Sequence, residues 1–183
     1  MKAAMKLFSE TGFHRTNTKQ IAAEARVSTG SFYSYYTDKR AVFIDALLLY
    51  SQLFRDKLGQ LLKQIDLSKN DKHFIIAQLV ESLIQSHDVY LGIYSELKIM
   101  YEADAEVREI IDRAKTASRE NTKKYLYIWK DELKVTDLDA ASVVVFEALD
   151  RLVDLIKFYE VGISAEQIKN ETVDLIYAYL FLR

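Results

Sequence analysis

Apolar side chains recur every three or four residues along most of the chain, which is the spacing that places them on one face of an α-helix. The sequence contains no run in which apolar and polar residues alternate as they would along a strand. It also contains no proline, so the long helical segments meet no strong breaker. The pattern predicts an all-α protein of about nine helices, three short ones followed by six longer ones.

The first three helices are predicted over residues 1–10, from 17 or 18 to 25 or 26, and from 29 or 30 onward. Polar side chains accept hydrogen bonds from the free amides at a helix start, and glycine tolerates the backbone of a helix end. These roles are expected of Gly12 after the first helix, Asn17 or Thr18 before the second, and Ser28 before the third. Only three or four residues then separate the second helix from the third, which is the geometry of a helix-turn-helix.

The third helix divides into an aromatic face and a face of small residues. Phe32, Tyr35 and Tyr36 lie three and four residues apart and are predicted to pack inward. The residues left facing outward are Thr29, Gly30, Ser31, Tyr33 and Ser34. A recognition helix contacts base edges with its N-terminal residues, and small side chains there permit close approach to the major groove. Two capped helices and a short turn also occur in helical proteins that bind no DNA, so this pattern alone leaves a purely structural role open.

Charge is distributed unevenly along the sequence. Residues 1–50 carry a net charge of +3, whereas the rest of the chain carries −5. A basic end in an overall acidic chain is expected when that end alone meets DNA. Thr37 or Asp38 can cap the fourth helix, which places Lys39 and Arg40 at the positive end of a helix, where a phosphate binds favourably.

The segment AMKLFSETGFHRTNTKQIAAEARVSTGSFYSYYTDKRAVF, residues 4–43, resembles the N-terminal domain of the TetR family of transcriptional regulators. It has the family's Gly-aromatic pair, Thr-rich cap, Ile-Ala, Val-Ser turn and Gly-x-aromatic-Tyr in order. The resemblance implies that Thr29, Gly30 and Ser31 approach base edges and that Thr18, Tyr33, Tyr35 and Lys39 hold phosphates. The full set of predicted DNA-binding residues is Thr18, Lys19, Ser28, Thr29, Gly30, Ser31, Tyr33, Ser34, Tyr35 and Lys39.

The six longer helices are predicted over about 39–65, 72–87, 89–101, 104–133, 137 or 139 to 161, and 164 to the C-terminus. The segment LSKND, residues 67–71, interrupts the first two of them. We therefore expect two domains. A three-helix helix-turn-helix DNA-binding domain occupies residues 1–45, and a helical ligand-binding and dimerisation domain occupies residues 46–183.

The apolar stripe of the seventh helix is interrupted in its middle by two polar residues, Ser118 and Asn121. Buried polar groups need partners, and a bound small molecule, another side chain or a trapped water can each provide one. Aromatic residues with one polar tip suit a pocket wall, although the same spacing also occurs in ordinary cores. The predicted effector-binding residues are His87, Tyr90, Tyr94, Tyr101, Ser118, Asn121, Tyr125 and Trp129. The expected effector is flat or apolar with a few polar atoms, such as a drug, a dye or a lipid-like metabolite.

The last two helices carry more apolar surface than one core can cover. A second copy of the chain can cover the remainder by pairing these helices into a four-helix bundle, an arrangement that the TetR resemblance also implies. The predicted homodimer interface contains Leu149, Leu152, Ile156, Ile176, Tyr179 and Leu180. The acidic residues Glu147, Asp150 and Asp154 are expected on the solvated side of the eighth helix.

A homodimer with recognition helices about 34 Å apart would read successive major grooves, so the expected operator is a near-palindrome. An effector that favours a state with a different spacing would weaken DNA binding. We therefore expect a ligand-released transcriptional repressor, with the sign of regulation taken from the TetR resemblance. The alternative is a helical adaptor or interaction protein with a vestigial DNA reader.

Composition argues against most enzyme classes. The chain has no cysteine, which excludes disulfides, thiolate nucleophiles and thiolate metal sites. It lacks a phosphate-binding glycine loop and an HExxH motif, and its three histidines lie on different predicted elements, so no catalysis, metal or cofactor is expected. Without a secretory signal or a run of about eighteen apolar residues, the expected location is the cytoplasm, with no membrane association.

Overall fold

The structure is a computed structural model that describes residues 1–67 and 71–182. Within these residues the chain is entirely helical, with nine α-helices and one short 3-10 helix, His87–Tyr90, between the fifth and the sixth. The α-helices are α1 (Lys2–Thr11), α2 (Thr18–Glu24), α3 (Thr29–Tyr33), α4 (Lys39–Leu62), α5 (Lys72–Ser86), α6 (Tyr94–Ala103), α7 (Ala105–Ile128), α8 (Leu138–Phe158) and α9 (Ala165–Phe181). The prediction of an all-α protein with nine helices is confirmed.

The helices begin where capping chemistry predicts. Asn17 and Ser164 each form a capping box, in which the side chain accepts a backbone N–H and the glutamine three residues later accepts one in return. Ser28, Asp104 and Asp137 accept backbone N–H groups at the starts of α3, α7 and α8. Each of these side chains satisfies amides that have no partner inside the helix.

Two predicted bounds are wrong. α6 begins later than the predicted position 89, because the Ile93 amide bonds to the Tyr90 carbonyl at 2.9 Å and the chain turns there instead of continuing as a helix. α7 ends before the predicted position 133, because the Trp129 amide bonds at 3.1 Å to the carbonyl three residues back, which tightens the last turn. Most of the predicted interruption at 67–71 falls on residues 68–70, which lie outside the described residues.

The chain forms two compact units. Unit 1 comprises Met1–Leu53 and Val89–Asp112, and unit 2 comprises Phe54–Asp88 and Arg113–Arg183. The helices α4 and α7 each contribute residues to both units. Unit 1 therefore contains α1 to α3 together with α6 and the first parts of α4 and α7.

Three phenylalanines form the centre of the unit 1 core. The rings of Phe8, Phe13 and Phe43 lie 5.1, 5.5 and 5.9 Å apart in tilted or edge-on arrangements. Buried side chains from a later part of the sequence complete this core, namely Ile93, Leu97, Met100 and Val107. The three N-terminal helices thus share their core with α6 and the start of α7.

Two polar contacts also attach α6 and α7 to the N-terminal helices. Glu96, which is 8% exposed, accepts a hydrogen bond from the Phe13 amide at 2.7 Å. Arg40 donates to the two carboxylate oxygens of Asp104 at 2.5 and 2.9 Å and to Glu106 at 2.8 Å. This pairing lowers the pKa of Asp104 to about 2. The guanidinium that the sequence predicts at a phosphate is therefore engaged by two carboxylates of its own chain.

In unit 2, the helices α5, α8 and α9 pack around a core that Leu126 and Trp129 join from the end of α7. Ile176 and Leu180 are part of this core, at 4% and 1% exposed. Neither is available to a second copy of the chain, contrary to the prediction. Their apolar spacing on α9 reflects burial against the helices of their own unit.

The acidic residues of α8 face solvent only in part. Glu147 is exposed as predicted, whereas Asp150 and Asp154 are half-buried. Asp150 accepts a hydrogen bond from Lys115 at 2.7 Å, and Glu147 pairs with Arg119. Both cations lie on α7, so part of the contact between α7 and α8 within unit 2 is ionic. Helical spacing could not predict these ion pairs, because it does not indicate that a neighbouring helix carries the opposite charge.

We predict that replacing Glu96 with Ala destabilises the protein by about 1–3 kcal/mol, because it leaves the buried Phe13 amide without an acceptor. Glu96→Gln keeps an acceptor and should lose less. Urea unfolding would measure both changes, with Glu102→Ala on the exposed side of the same helix as the control. If Glu96→Ala is as stable as Glu102→Ala, the hydrogen bond between Glu96 and Phe13 does not contribute to the free energy of unfolding.

Candidate nucleic-acid interface

The turn between α2 and α3 is a Schellman motif, a compact helix ending held by two backbone hydrogen bonds. The Arg26 and Val27 amides each donate at 3.0 Å to carbonyls in the last turn of α2. Arg26 adopts a left-handed backbone with φ 56°, the conformation that glycine adopts at least cost. Ser28 follows and caps α3 by accepting the Ser31 amide at 3.0 Å. The predicted turn of three or four residues is confirmed.

The helix α3 presents small polar residues to solvent. Of its five residues Phe32 is the buried one, at 6% exposed. The Tyr33 hydroxyl lies 3.1 Å from that of Thr18, which joins α3 to the start of α2. The other predicted DNA-binding residues of this region are exposed, apart from the half-buried Thr29: Lys19, Ser28, Gly30, Ser31 and Ser34. The structure therefore brings the predicted residues of α2 and α3 together.

Tyr35 does not pack inward as predicted, because 83% of its surface is exposed. The helix ends at Tyr33, and the Tyr35 amide bonds to the Phe32 carbonyl three residues back. Regular helical spacing therefore no longer sets the direction of the Tyr35 side chain. Tyr36 does pack on the core, with its ring 5.9 Å from that of Phe32.

Gly30 has no internal reason to be glycine. Its backbone lies outside the left-handed region, and the nearest atom to an added Cβ would be Ser28 Oγ at 3.7 Å, an ordinary contact distance. Glycine inside a helix costs about 0.5–1 kcal/mol relative to alanine. The described part of the chain thus leaves open space above the backbone at the second residue of α3.

The cations of residues 1–50 differ in whether they have partners. Lys6 pairs with Glu24 at 2.7 Å, which raises the pKa of Lys6. Arg15 donates to the Thr11 carbonyl at 2.7 Å, and Arg40 is held by two carboxylates as described above. Three cations make no side-chain hydrogen bond or ion pair to the chain as described, namely Lys2, Lys19 and Arg26.

Lys39 has a full set of internal partners. Its ammonium donates to the carbonyls of Phe13, His14 and Thr16 at 2.7, 3.1 and 2.7 Å and lies 4.6 Å from the Phe13 ring centre. Three hydrogen bonds use all the protons of an ammonium group. Burial lowers the pKa of Lys39. The phosphate contact of Lys39 stays a prediction. In the structure its ammonium binds backbone carbonyls of the turn between α1 and α2.

The family model described as "Bacterial regulatory proteins, tetR family" matches residues 1–46, the segment that forms the three N-terminal helices. Residues 1–46 are thus similar to the DNA-binding segment of TetR-family regulators. The resemblance stated from the sequence is therefore confirmed, as is a fold that combines an N-terminal helix-turn-helix with a helical remainder.

Two curated regulators are similar to parts of the chain. The HTH-type transcriptional regulator HbdR of Aromatoleum sp. (strain CIB) is 56% identical over 39 residues, 21% of this chain and 17% of its own length. The fatty acid metabolism regulator protein of Bacillus subtilis (strain 168) is 25% identical over 117 residues, 60% of this chain and 55% of its own length. The chain thus spans less than two thirds of these curated relatives.

A solved structure has the same fold. The fatty acid degradation regulator FadR from Bacillus halodurans aligns with a TM-score of 0.71 and 18% identity, covering 96% of this chain and 91% of that one. At this identity the likeness concerns the fold. It extends beyond the segment matched by the TetR family model.

The predicted effector residues fall in both units. Unit 1 contains Tyr90, Tyr94 and Tyr101, all half-buried, and the Tyr101 hydroxyl donates to Asp112 at 2.9 Å. Unit 2 contains the remaining five, His87, Ser118, Asn121, Tyr125 and Trp129. Asn121 is exposed and does not lie within a buried apolar stripe as predicted. The buried side of this part of α7 contains Leu126, whereas Ile128, which the predicted stripe included, is exposed.

His87 and Trp129 are buried within unit 2. His87 Nδ1 donates to the Leu83 carbonyl at 2.8 Å, and burial lowers the pKa of His87, which favours a neutral ring. Trp129 packs against Phe181, and its Nε1 has no hydrogen-bond partner within the described residues. Ser118 is half-buried, and its carbonyl accepts a bond from Thr122.

The other predicted dimer residues keep some exposed surface. Tyr179 is 40% exposed, whereas Leu149, Leu152 and Ile156 are half-buried, and Leu149 and Ile156 pack against the unit 2 core. Further exposed apolar side chains are Val143 and Val144 on α8, Leu175 on α9 and Leu182 directly after α9.

The described residues contain no cluster of three or more His, Asp or Glu side chains that could hold a metal ion. None of their helices is both long and apolar enough to cross a bilayer.

Sequence reasoning missed two residues of this region, Arg26 and Glu96. Arg26 could have been found from a local signal, because it occupies the position after the α2 C-cap where glycine is usual. Glu96 offered no such signal, since its partner Phe13 lies 83 residues away.

We predict that Lys39→Met lowers the free energy of unfolding by about 1–3 kcal/mol, because three carbonyls of the turn between α1 and α2 lose their donor. Lys19→Met, which removes an exposed cation without partners, is the matched control and should leave stability within about 0.5 kcal/mol. Urea unfolding measures both. Equal stability of the two variants would contradict the structural role of Lys39.

Proposed function

We propose that this protein is a TetR-family DNA-binding transcriptional regulator without enzymatic activity, acting in the cytoplasm, and that α3 enters the major groove. Thr29, Gly30 and Ser31 would meet base edges, and Thr18 and Tyr33 would bond to phosphates. Support comes from the exposed row of small residues on α3 and from the family match over residues 1–46. Residues 1–45 would carry DNA binding, with the core of unit 1 completed by α6, and residues 46–183 would carry effector binding and dimerisation.

The observation that carries this proposal is Gly30. A glycine that weakens its helix, in a place where a methyl group would fit, points to a requirement from outside the chain. Close approach of a helix backbone to a base edge is such a requirement. Ser28 and Ser31 flank it with hydroxyls that can donate or accept hydrogen bonds.

We further propose a homodimer that pairs α8 and α9 and reads a near-palindromic operator, and that effector binding releases a repressor from it. Support for the pairing comes from the exposed apolar residues of these helices, Val143, Val144, Leu175 and Tyr179, and from the exposed Leu182 that follows α9. Leu149, Leu152 and Ile156 would contribute at its edge, whereas Ile176 and Leu180 are excluded because their own unit buries them.

The effector that we propose is a small lipid-like molecule. The match to the fatty acid metabolism regulator of Bacillus subtilis covers 117 residues, so it extends well past the DNA-binding segment. Within unit 2 the proposed contacts are His87, Ser118, Tyr125 and Trp129. The half-buried tyrosines of unit 1, Tyr90, Tyr94 and Tyr101, stay a separate prediction. Asn121 is the weakest member of this set, because it is exposed.

Gly30→Ala is expected to have opposite effects on folding and on DNA binding. It should stabilise the protein by about 0.5–1 kcal/mol, because alanine favours the helix and has room. It should also weaken operator binding roughly tenfold or more, because the methyl group separates the backbone from the base edge. Thermal unfolding and a gel-shift assay with a duplex from the region upstream of the gene measure the two effects.

Gly59→Ala is the matched control for this experiment. Gly59 lies inside α4 with nothing within 4 Å of an added Cβ, so it should give a similar gain in stability without loss of DNA binding. The wild-type complex should contain two protomers for each duplex. If Gly30→Ala binds the duplex as well as Gly59→Ala does, α3 is not the reading helix. If the wild-type protein prefers this duplex no more than random DNA, the adaptor function is favoured instead.

The effector proposal predicts that palmitate or palmitoyl-coenzyme A raises the melting temperature in a saturable manner and abolishes the gel shift. A ligand at one hundred times its Kd stabilises the protein that binds it by about 2.7 kcal/mol. Butyrate serves as the control, because it has the carboxylate without the long apolar chain. A melting temperature that none of these probes changes would contradict a lipid-like effector.

A further inference from the structure

The N-terminal part of the chain has fewer cations available to DNA than its charge suggests. Lys6, Arg15, Lys39 and Arg40 all have partners within unit 1. Phosphate contacts contribute much of the affinity of a protein for duplex DNA, and they need exposed cations that are not already bound to another group of the protein. The cations without an internal partner near α3 must therefore be considered first.

Arg26 is one of these cations, and it lies next to the reading helix. It is exposed, and Ser28, the cap of α3, follows two residues later. Its carboxylate neighbour on α2, Glu24, already pairs with Lys6 at 2.7 Å. The guanidinium thus retains its charge and its donors at the corner where α2 meets α3.

The backbone at Arg26 is held rigidly in a conformation that does not favour arginine. Two hydrogen bonds of 3.0 Å close the turn around it, and its φ of 56° lies in the left-handed region. Glycine takes this conformation without steric strain, whereas a side chain with a Cβ does not. Arginine at this position therefore makes the turn less stable than glycine would, just as Gly30 makes α3 less stable than alanine would.

We propose that Arg26 is a DNA-backbone contact, which binds a phosphate diester beside the major groove that α3 enters. The strained turn fixes the start of the side chain, and the planar guanidinium can bond two phosphate oxygens at once. Arg26 and Lys19 would then be the cationic phosphate contacts at the two ends of α2, while Lys39 and Arg40 hold unit 1 together. This assignment rests on the proposed function and adds a residue to it.

Arg26→Gly tests the assignment because folding and binding should change in opposite directions. Removal of the strain should raise the melting temperature by roughly 2–3 °C. Loss of the phosphate contact should weaken binding to a random-sequence duplex roughly eightfold per protomer at about 0.1 M salt. It should also lower the slope of log K against log salt by about 0.9 per protomer. No operator is needed, since phosphate contacts are independent of sequence.

Three further variants separate charge from backbone. Arg26→Asn removes the charge but tolerates the left-handed backbone, and it should lose as much affinity and slope as Arg26→Gly. Arg26→Lys keeps the charge and should keep the slope. Lys57→Met removes a cation of unit 2 that pairs with Asp88, and it should leave the slope unchanged.

The outcomes distinguish this inference from the proposed function. A wild-type protein that binds duplex DNA with a salt-dependent affinity, together with neutral Arg26 variants of unchanged affinity and slope, would overturn the role of Arg26 and leave DNA binding intact. A wild-type protein that does not bind any duplex would overturn the proposed function and the role of Arg26 with it. A lower slope in both neutral variants and an unchanged slope in Arg26→Lys is the expected result.

Discussion

The turn between α1 and α2 is held by two charged side chains that come from distant parts of the sequence. The carboxylate of Glu96 takes the Phe13 amide, and the ammonium of Lys39 takes the carbonyls of Phe13, His14 and Thr16. A buried backbone group without a partner costs about 1–3 kcal/mol, so neither charge can be removed without penalty. The position of this turn determines where α2 starts, and the Schellman turn at the end of α2 then determines where α3 lies. The proposed reading surface therefore depends on contacts that lie outside it.

This arrangement gives α6 a part in positioning the reading helix. α6 supplies Glu96 and two of the apolar residues in the core of the N-terminal helices, and the Asp104 that follows it pairs with Arg40. Because these contacts hold the helices in place, the exposed residues of α2 and α3 need not be the ones that favour folding most. Gly30 is one example, since its helix would be more stable with a side chain at that position. Arg26 is another, since its left-handed turn would be less strained without a side chain.

The sequence was sufficient to predict the features that depend on near neighbours. The caps at Asn17, Ser28 and Ser164 each involve a residue three positions away, so the local sequence contains the whole interaction. Contacts between distant positions could not be predicted, and the bond between Glu96 and Phe13 is the clearest case. Helical spacing also identified apolar faces without indicating what covers them. Ile176 has the spacing of an interface residue, yet the core of its own unit buries it.

Amide hydrogen exchange with and without a DNA duplex reports on the fixed turn and on the reading surface in one experiment. We expect amides of the turn between α1 and α2, Phe13 above all, to be protected before DNA is added and to change little afterwards. New protection should arise in α2, in α3 and in the turn between them when a duplex is present. Rapid exchange at Phe13 in the free protein, or DNA-dependent protection confined to α8 and α9, would show that the proposed reading surface is wrong.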